Sequence, residues 1–298
     1  MSYIISEDGK ELLKDVRDFC VNEVKEQVKE YDISGEWPKE IYDQAIEMQL
    51  HMMDVPEEYG GLGLDHMDQA AIVEQIAWAD AGVAVTLNGN GLALKPVLLA
   101  GNEEQKKKCC DIIINGGFGS FALTEPNAGC DAGAGKTTAV REGDFALTEA
   151  DAGSDAGATR TTAVKDGDEY VLNGRKCFIT NASVADFFVV TAMTAKDQGT
   201  KGISAFLVYK GTPGLSVGNH ENKMGIRCST TSDVILEDVR IPAENRLGEE
   251  GTGFITAMKT LDLARTWCAV IGVGVAQRCI DEAVAYSKQR VQFGKPIC

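Results

Sequence analysis

Apolar residues recur at helical spacing through the N-terminal third of the chain. Pro38 and Asp65 suit the starts of two helices, and Gly101-Asn102 separates two more. Ser6 can cap the first helix, whose inward face is predicted to carry Leu12, Leu13, Val16, Phe19, Cys20 and Val24. The pattern therefore predicts an α-helical domain over residues 1–117.

The period changes to that of strands over residues 118–243. Phe187-Phe188-Val189-Val190, Ile203–Tyr209 and Asp233–Ile241 are apolar, β-branched or aromatic runs separated by turn residues. No helical pattern lies between them, which favours an antiparallel barrel or sandwich over a Rossmann sheet. No G-x-G-x-x-G motif follows a strand, so a dinucleotide would have to be held in another way.

Helical spacing returns over residues 244–298. Phe254, Met258 and Leu261 form one apolar stripe, and a second helix is predicted from about Asp281 to Arg290. Between them, small residues would let helices approach closely, namely Ala269, Gly272, Gly274 and Ala276. The sequence thus predicts an α+β multidomain protein that ends in the start of a helical bundle.

Charge and composition narrow the possible partners. The formal net charge of −16 argues against nucleic acid or an anionic membrane surface. No run of about 18 apolar residues is evident and the N-terminus lacks a signal-peptide core, so no membrane span is expected. Nine cysteines without C-x-x-C spacing and three scattered histidines predict reduced thiols, no metal site and a cytoplasmic protein.

The middle region contains a tandem repeat. Phe121–Asp144 and Phe145–Asp168 are identical at 17 of 24 positions, and only the second runs on into Glu169–Asn181. Each copy has an apolar start, a Gly/Ala/Asp turn and a Thr/Val strand. Glycine lets backbone N–H groups approach a phosphate or a flavin, although the turn alone equally suits a plain hairpin.

The second copy resembles the flavin and thioester signature of the acyl-CoA dehydrogenase family. The resemblance is carried by Ala146–Glu149 with Gly153-Ser154-Asp155, and Phe178-Ile179-Thr180 resembles the family's flavin-facing segment. It continues through KMGIR, EDVRIP, LDLAR and RVQFG in the same order, and it is greatest for the short-chain, butyryl-CoA type. The family implies an N-terminal helical domain, a β domain and a C-terminal helical bundle.

The resemblance also implies roles for individual residues. Those expected to bind FAD are Phe145, Leu147, Thr148, Gly153, Phe178, Ile179 and Thr180, with Arg290, Gln292 and Phe293 reaching the pyrophosphate in a neighbouring subunit. Ser154, Asp262 and Arg265 are expected to contact CoA, and Asn88–Lys95 to bound the acyl pocket. Phe145 and Phe178 could instead be core aromatics, and the arginines solvated helix charges.

The implied activity is FAD-dependent α,β-dehydrogenation of a short-chain acyl-CoA thioester, or the reverse enoyl-CoA reduction. An electron-transfer flavoprotein and a homotetramer are the implied partners. No catalytic residue is assigned, because most members place a glutamate in the bundle beyond the position of Cys298. A minority place it on the LDLxR helix, where this chain has Ala264. The 298-residue chain is therefore expected to be inactive alone and to bind flavin weakly. A non-catalytic remnant and an acyl-CoA oxidase are the alternatives.

The two copies differ in ways that favour the second as the site. It has Ser154 where the first has Cys130, a weaker hydrogen-bond donor, and it connects directly to Phe178-Ile179-Thr180. The first retains the family's usual Pro126, where the second has Ala150. We expect the second copy to build the flavin site and the first to form a surface excursion, which loop-closure entropy permits.

Overall fold

The computed structural model describes residues 5–125 and 161–298. The N-terminal helices begin with α1 (Glu7–Phe19), which continues through a π-helical turn (Cys20–Val24) into α2 (Lys25–Ser34). They are followed by α3 (Lys39–Glu47), α4 (His66–Ala79), α5 (Ala81–Ala100) and α6 (Glu103–Ile114). Short 3-10 turns at Leu50–Met52 and Glu57–Tyr59 lie between α3 and α4.

Polar caps fix where these helices start. The Ser6 and Asp65 side chains accept backbone hydrogen bonds at the starts of α1 and α4, as the sequence predicts. Asn102 and Gln105 form a capping box at α6. The helices pack around a shared apolar core that includes Val16, Ile41, Tyr42, Ile72, Ile76 and Leu87.

Helix α5 is the most apolar of the N-terminal helices in the described ranges. By length and composition alone it could cross a membrane, which the sequence analysis did not anticipate. However, 56% of its apolar window is buried inside the protein, as in the core helix of a soluble fold. Its position at the centre of the helical layer accounts for its apolar composition.

The strands form one extended sheet. They are β1 (Gly119–Ala122), β2 (Thr162–Asp166), β3 (Glu169–Thr180), β4 (Phe187–Met193), β5 (Ile203–Tyr209), β6 (Leu215–His220), β7 (Thr231–Pro242) and β8 (Arg246–Leu247). The order is β6-β7-β3-β2-β4-β5-β8, with β1 also paired to β4. Most pairs are antiparallel, and β4 pairs in parallel with β1 and, at one residue pair, with β2. The predicted α+β order, helices then strands then a helix, is confirmed.

The C-terminal region differs from the prediction of two helices. A single helix, α7, runs without a break from Gly253 to Gln289. Gly274 is required by packing, since a Cβ there would lie 2.8 Å from the Ala77 Cβ of α4. Gly272 faces open space. A small hairpin of β9 (Val291–Gln292) and β10 (Lys295–Pro296) comes after the helix.

We expect Gly119→Ala to destabilise the protein by about 1–3 kcal/mol, because a new methyl would overpack the contact between β1 and α5. A Cβ at Gly119 would lie 2.5 Å from the Phe187 ring and 2.7 Å from the Ala93 Cβ. The matched control is Gly272→Ala on the exposed face of α7, where alanine should be neutral or stabilising by up to about 1 kcal/mol. Urea unfolding monitored by circular dichroism measures both, and equal effects would contradict the packing assignment.

Candidate functional site

The end of β3 has an unusual backbone. The ladder with β7 shifts register between Lys176 and Ile179, and Phe178 (φ 57°) and Asn181 (φ 63°) both lie in the left-handed region. A bulky residue rarely adopts that conformation, so the surrounding contacts must hold it. The Asn181 side-chain amide donates to the Thr86 carbonyl of α5 at 2.9 Å, and its backbone N–H donates to the Thr230 carbonyl at 3.1 Å.

This backbone separates the three predicted flavin-facing residues. Ile179 is buried, Thr180 is half-buried, and the Phe178 side chain is 63% exposed. Phe178 is therefore not a core aromatic, and that alternative is wrong. Its ring is available at the surface as a stacking face, while Thr180 lines a partly open cavity.

That cavity has a volume of about 530 Å³ and lies between α4, α5, α7 and Thr180. Helix α5 approaches the end of β3 closely at Gly89, where a Cβ would lie 2.6 Å from the Asn181 amide nitrogen and 3.7 Å from the Thr180 methyl. The wall is largely apolar and includes Ala70, Val85, Leu92, Leu263, Ala264, Trp267, Val270 and Ile271. The cavity is thus a largely apolar space with Thr180 in its wall.

Two oppositely charged residues also line this cavity, Asp54 and Lys95. The Asp54 carboxyl lies against Gly91 of α5, where it occupies the space that a Cβ would need. Burial raises the pKa of the Asp54 carboxyl above its usual range, and the Lys95 and His66 charges partly oppose this shift. The sequence analysis predicted Asn88–Lys95 as the pocket boundary, and Asn88, Leu92 and Lys95 do line the cavity. It missed Asp54, which lies in a distant loop.

The start of the first repeat copy forms the strand beside this site. In β1, the Ser120 hydroxyl donates to the Thr180 carbonyl at 2.6 Å. The chain continues past β1, where the Thr124 carbonyl accepts from the Cys177 N–H at 2.8 Å. Leu123 packs against Ala257 in the first turns of α7. These contacts join the first copy to β3 and to α7.

A buried ion pair fixes this strand. The Lys176 ammonium lies 2.6 Å from Glu125 Oε1, and the two side chains are 0% and 2% exposed. Lys176 also donates to the Leu123 carbonyl and the Thr191 hydroxyl, each at 3.3 Å, and Glu125 accepts the Thr161 N–H at 2.9 Å. Burial lowers the pKa of Lys176, and the carboxylate of Glu125 opposes this shift.

The prediction that the first copy is a surface excursion is wrong for Phe121–Glu125, the part that the structure describes. The reason lies in the residues before each copy. Phe118 is buried edge-on against Trp37 and Tyr42, with ring centroids 6.0 and 6.3 Å away, and Ser120 is buried. The second copy in this place would bring Glu142 and Asp144 to those two positions and bury two carboxylates.

The end of the second copy has its own structural position. Thr162–Asp166 forms β2 and pairs with β3 through a tight hairpin in which Asp166 lies opposite Glu169. That turn requires a direct connection to Glu169, which only the second copy has. The predicted ligands Phe145, Leu147, Thr148, Gly153 and Ser154 lie outside the described residues.

The remaining predicted residues lie on the surface of α7 and beyond its end. Asp262 and Arg265 form an exposed ion pair at 2.7 Å, one turn apart, next to the cavity-lining Leu263 and Ala264. Arg290, Gln292 and Phe293 lie at and after the other end of α7, roughly 40 Å along the helix from Ala264. Phe293 is fully exposed at the hairpin turn. Within one chain Arg290, Gln292 and Phe293 therefore do not line the cavity.

Comparisons with known proteins agree along the whole chain. Models of the N-terminal, middle and C-terminal domains of acyl-CoA dehydrogenase match residues 6–117, 144–239 and 251–298. The caffeyl-CoA reductase-Etf complex subunit CarC of Acetobacterium woodii is 43% identical over 98% of this chain and 72% of its own length. The chain belongs to the acyl-CoA dehydrogenase family.

Solved structures support the same assignment. The butyryl-CoA dehydrogenase of Megasphaera elsdenii superposes with a TM-score of 0.88 at 39% identity, over 100% of this chain and 73% of that one. The acyl-CoA dehydrogenase of Bacillus anthracis, solved in complex with FAD, superposes at 0.82 with 37% identity, over 100% of this chain and 48% of that one. The chain is thus similar to short-chain and to FAD-bound members.

We expect Glu125→Gln to destabilise the protein by about 3–5 kcal/mol, because it leaves the buried Lys176 charge without its carboxylate. Glu149→Gln, the same change in the second copy, is the matched control and should cost less than about 1 kcal/mol. Combining Glu125→Gln with Lys176→Met should recover much of the loss. Chemical denaturation measures all of these variants, and a larger loss for Glu149→Gln would show that the second copy holds the ion pair.

Proposed function

We propose that this protein is an FAD-dependent oxidoreductase that exchanges hydrogen between Cα and Cβ of a short-chain acyl-CoA thioester. The observation that supports this most is the apolar cavity, which has Thr180 in one wall and the LDLAR segment of α7 in another. The family assignment gives these two segments their expected partners, the flavin and the thioester. The similarity to butyryl-CoA dehydrogenase favours a short acyl chain.

The residues present fit a flavin. Phe178 offers an exposed aromatic face, and Thr180 places a hydroxyl-bearing side chain at the cavity wall. Positive-φ backbone at Phe178 and Asn181, held by contacts to α5 and β7, fixes both in advance of binding. When bound, FAD supplies the two-electron chemistry that no protein side chain can.

The protein's own contribution is to hold the acyl chain and exclude water. Leu263, Trp267 and Ile271 from α7 face Leu92 and Val85 from α5 across the cavity. An acyl chain between them would be fixed with its reacting carbons near Thr180, which lowers the entropic part of the barrier. Asp262, Arg265 and Ser154 would contact the CoA portion, as the resemblance implies.

Proton abstraction from Cα needs a base in the cavity wall. On α7 the position at which the resemblance implies a base in a minority of members is Ala264, which lines the cavity and cannot act as one. Of the residues that the structure describes, Asp54 is the only carboxylate lining the cavity, and it lies against Gly91, whereas Thr180 lies against Gly89. His66 also lines the cavity, at the start of α4 with its ring edge-on to Trp267. We therefore propose that the 298-residue chain alone does not dehydrogenate thioesters.

An electron-transfer flavoprotein is the electron partner that we propose, because the CarC relative is named as a subunit of a complex with Etf. That relative is a reductase, which keeps both reaction directions open to this chain. Fully exposed Phe293 and the exposed apolar residues of α7 support contact with further subunits or segments, as in the tetramer implied by the resemblance.

Ala264→Glu should give the chain a base at the cavity wall and raise acyl-CoA-dependent flavin reduction by at least about 100-fold. Bleaching of the flavin absorbance after mixing with butyryl-CoA measures the rate. Ala264→Gln is the control, since it adds the same volume without a base. Rapid bleaching by the unmodified chain would contradict the absence of a base, and no gain in the glutamate variant would count against the proposed placement of the thioester.

Phe178→Ala should weaken FAD binding by roughly 2–10-fold, because it removes a stacking face worth about 0.5–1.5 kcal/mol. Since the ring is largely exposed, the melting temperature without FAD should change little. Quenching of FAD fluorescence measures the affinity, and Tyr286→Ala provides an exposed aromatic control on α7, because the Tyr286 side chain is 59% exposed. Unchanged affinity in Phe178→Ala would remove this residue from the flavin site.

A further inference from the structure

Two charged side chains, Asp54 and Lys95, interrupt the largely apolar wall of the cavity. Gly89 of α5 marks the end beside Thr180, and Lys95 lies six residues further along the same helix, about 9 Å away at the α-helical rise. Asp54 lies over Gly91, one turn before Lys95. Because Gly91 is only two residues beyond Gly89, about 3 Å of helical rise, an acyl chain that starts beside Thr180 and runs along α5 passes Asp54 first and then approaches Lys95.

Neither charged group is satisfied by a neighbour in the described parts of the chain. No ion pair within 4.0 Å and no hydrogen bond joins the Lys95 ammonium or the Asp54 carboxyl to any of these residues. The two are nevertheless close enough for the charge of Lys95 to act on Asp54. Polar groups at the edge of an apolar space cost free energy when a ligand removes their water without replacing its hydrogen bonds.

We propose that the acyl group of the substrate carries a distal hydroxyl, which accepts a hydrogen bond from the Lys95 ammonium and donates one to the Asp54 carboxylate. This inference rests on the proposed function of the cavity. A hydroxyl is both donor and acceptor and so matches the pair. A distal carboxylate would face the like charge of Asp54, and a plain alkyl end would leave both charged groups without partners.

The hydroxyl can be aliphatic or phenolic, and matched CoA esters distinguish the two. The chain is titrated calorimetrically with butyryl-CoA and hexanoyl-CoA, their ω-hydroxy counterparts, cinnamoyl-CoA and 4-hydroxycinnamoyl-CoA. We expect at least one hydroxylated ester to bind about 10-fold more tightly than its parent, as hydrogen bonds to charged groups predict. The pair that shows the preference identifies the source of the hydroxyl.

Variants test whether the charged pair causes the preference. Lys95→Met keeps the chain length without the charge, Asp54→Asn keeps the shape, and both should reduce the preference to about 2-fold or less. Lys107→Met, on the exposed face of α6, is the matched control and should leave it unchanged. The inference would be overturned if the preference persisted in Lys95→Met. It would also be overturned if the unmodified chain bound the parent esters without any preference for the hydroxylated ones. Neither outcome would contradict the proposed function.

Two further outcomes complete the test. If no CoA ester binds to any variant, the proposed function fails and the inference fails with it. The melting temperature without ligand distinguishes recognition from support of the fold. Lys95→Met should leave it unchanged or raise it, because an unpartnered ammonium contributes little to folding. A fall of several degrees would assign Lys95 to structural support and overturn its role in recognition.

Discussion

The buried pair of Glu125 and Lys176 holds the centre of this fold together. It lies where four segments meet, and it joins the end of the first-copy strand to β3, two residues before Phe178. Each charge is costly to bury alone, so the two must be placed together with their remaining hydrogen bonds filled. Any shift of β1 against β3 would separate them. The pair therefore sets the position of Phe178 and Thr180, and through them one end of the cavity.

The repeat is accommodated because its two ends are fixed by different neighbours. Phe121–Glu125 is held by the residues before it, since Ser120 reaches the Thr180 carbonyl. Thr162–Asp166 is held by the strand after it, since the hairpin to Glu169 allows no insertion. Because both copies contain FALTE, these five residues do not determine which copy forms the strand beside β4. The preceding residues do, since the acidic residues before the second copy would be buried in that position. Extra chain between the two fixed ends costs little loop-closure entropy.

Features that depend on neighbouring residues in the sequence were predicted well, and features that depend on contacts between distant residues were predicted poorly. The caps at Ser6 and Asp65 and the change from helical to strand period depend on residues within one turn, so the sequence contains them. The break predicted before Asp281 was wrong because the packing of α7 on α4 at Gly274 offsets the helix propensity that glycine loses, about 1 kcal/mol relative to alanine. Asp54 and Lys95 are 41 positions apart in the chain, and only the fold brings them to one cavity.

The chemistry around α5 depends on its glycines more than on its own side chains. At Gly89 the missing side chain admits Thr180 and Asn181, and at Gly91 it admits the Asp54 carboxyl. Groups from β3 and from the loop before α4 therefore pack directly against the α5 backbone, at different positions along the helix. Only Lys95 adds a charge of its own, one turn beyond Gly91. The spacing of small and charged residues along this helix therefore determines where Thr180, Asp54 and Lys95 meet the cavity.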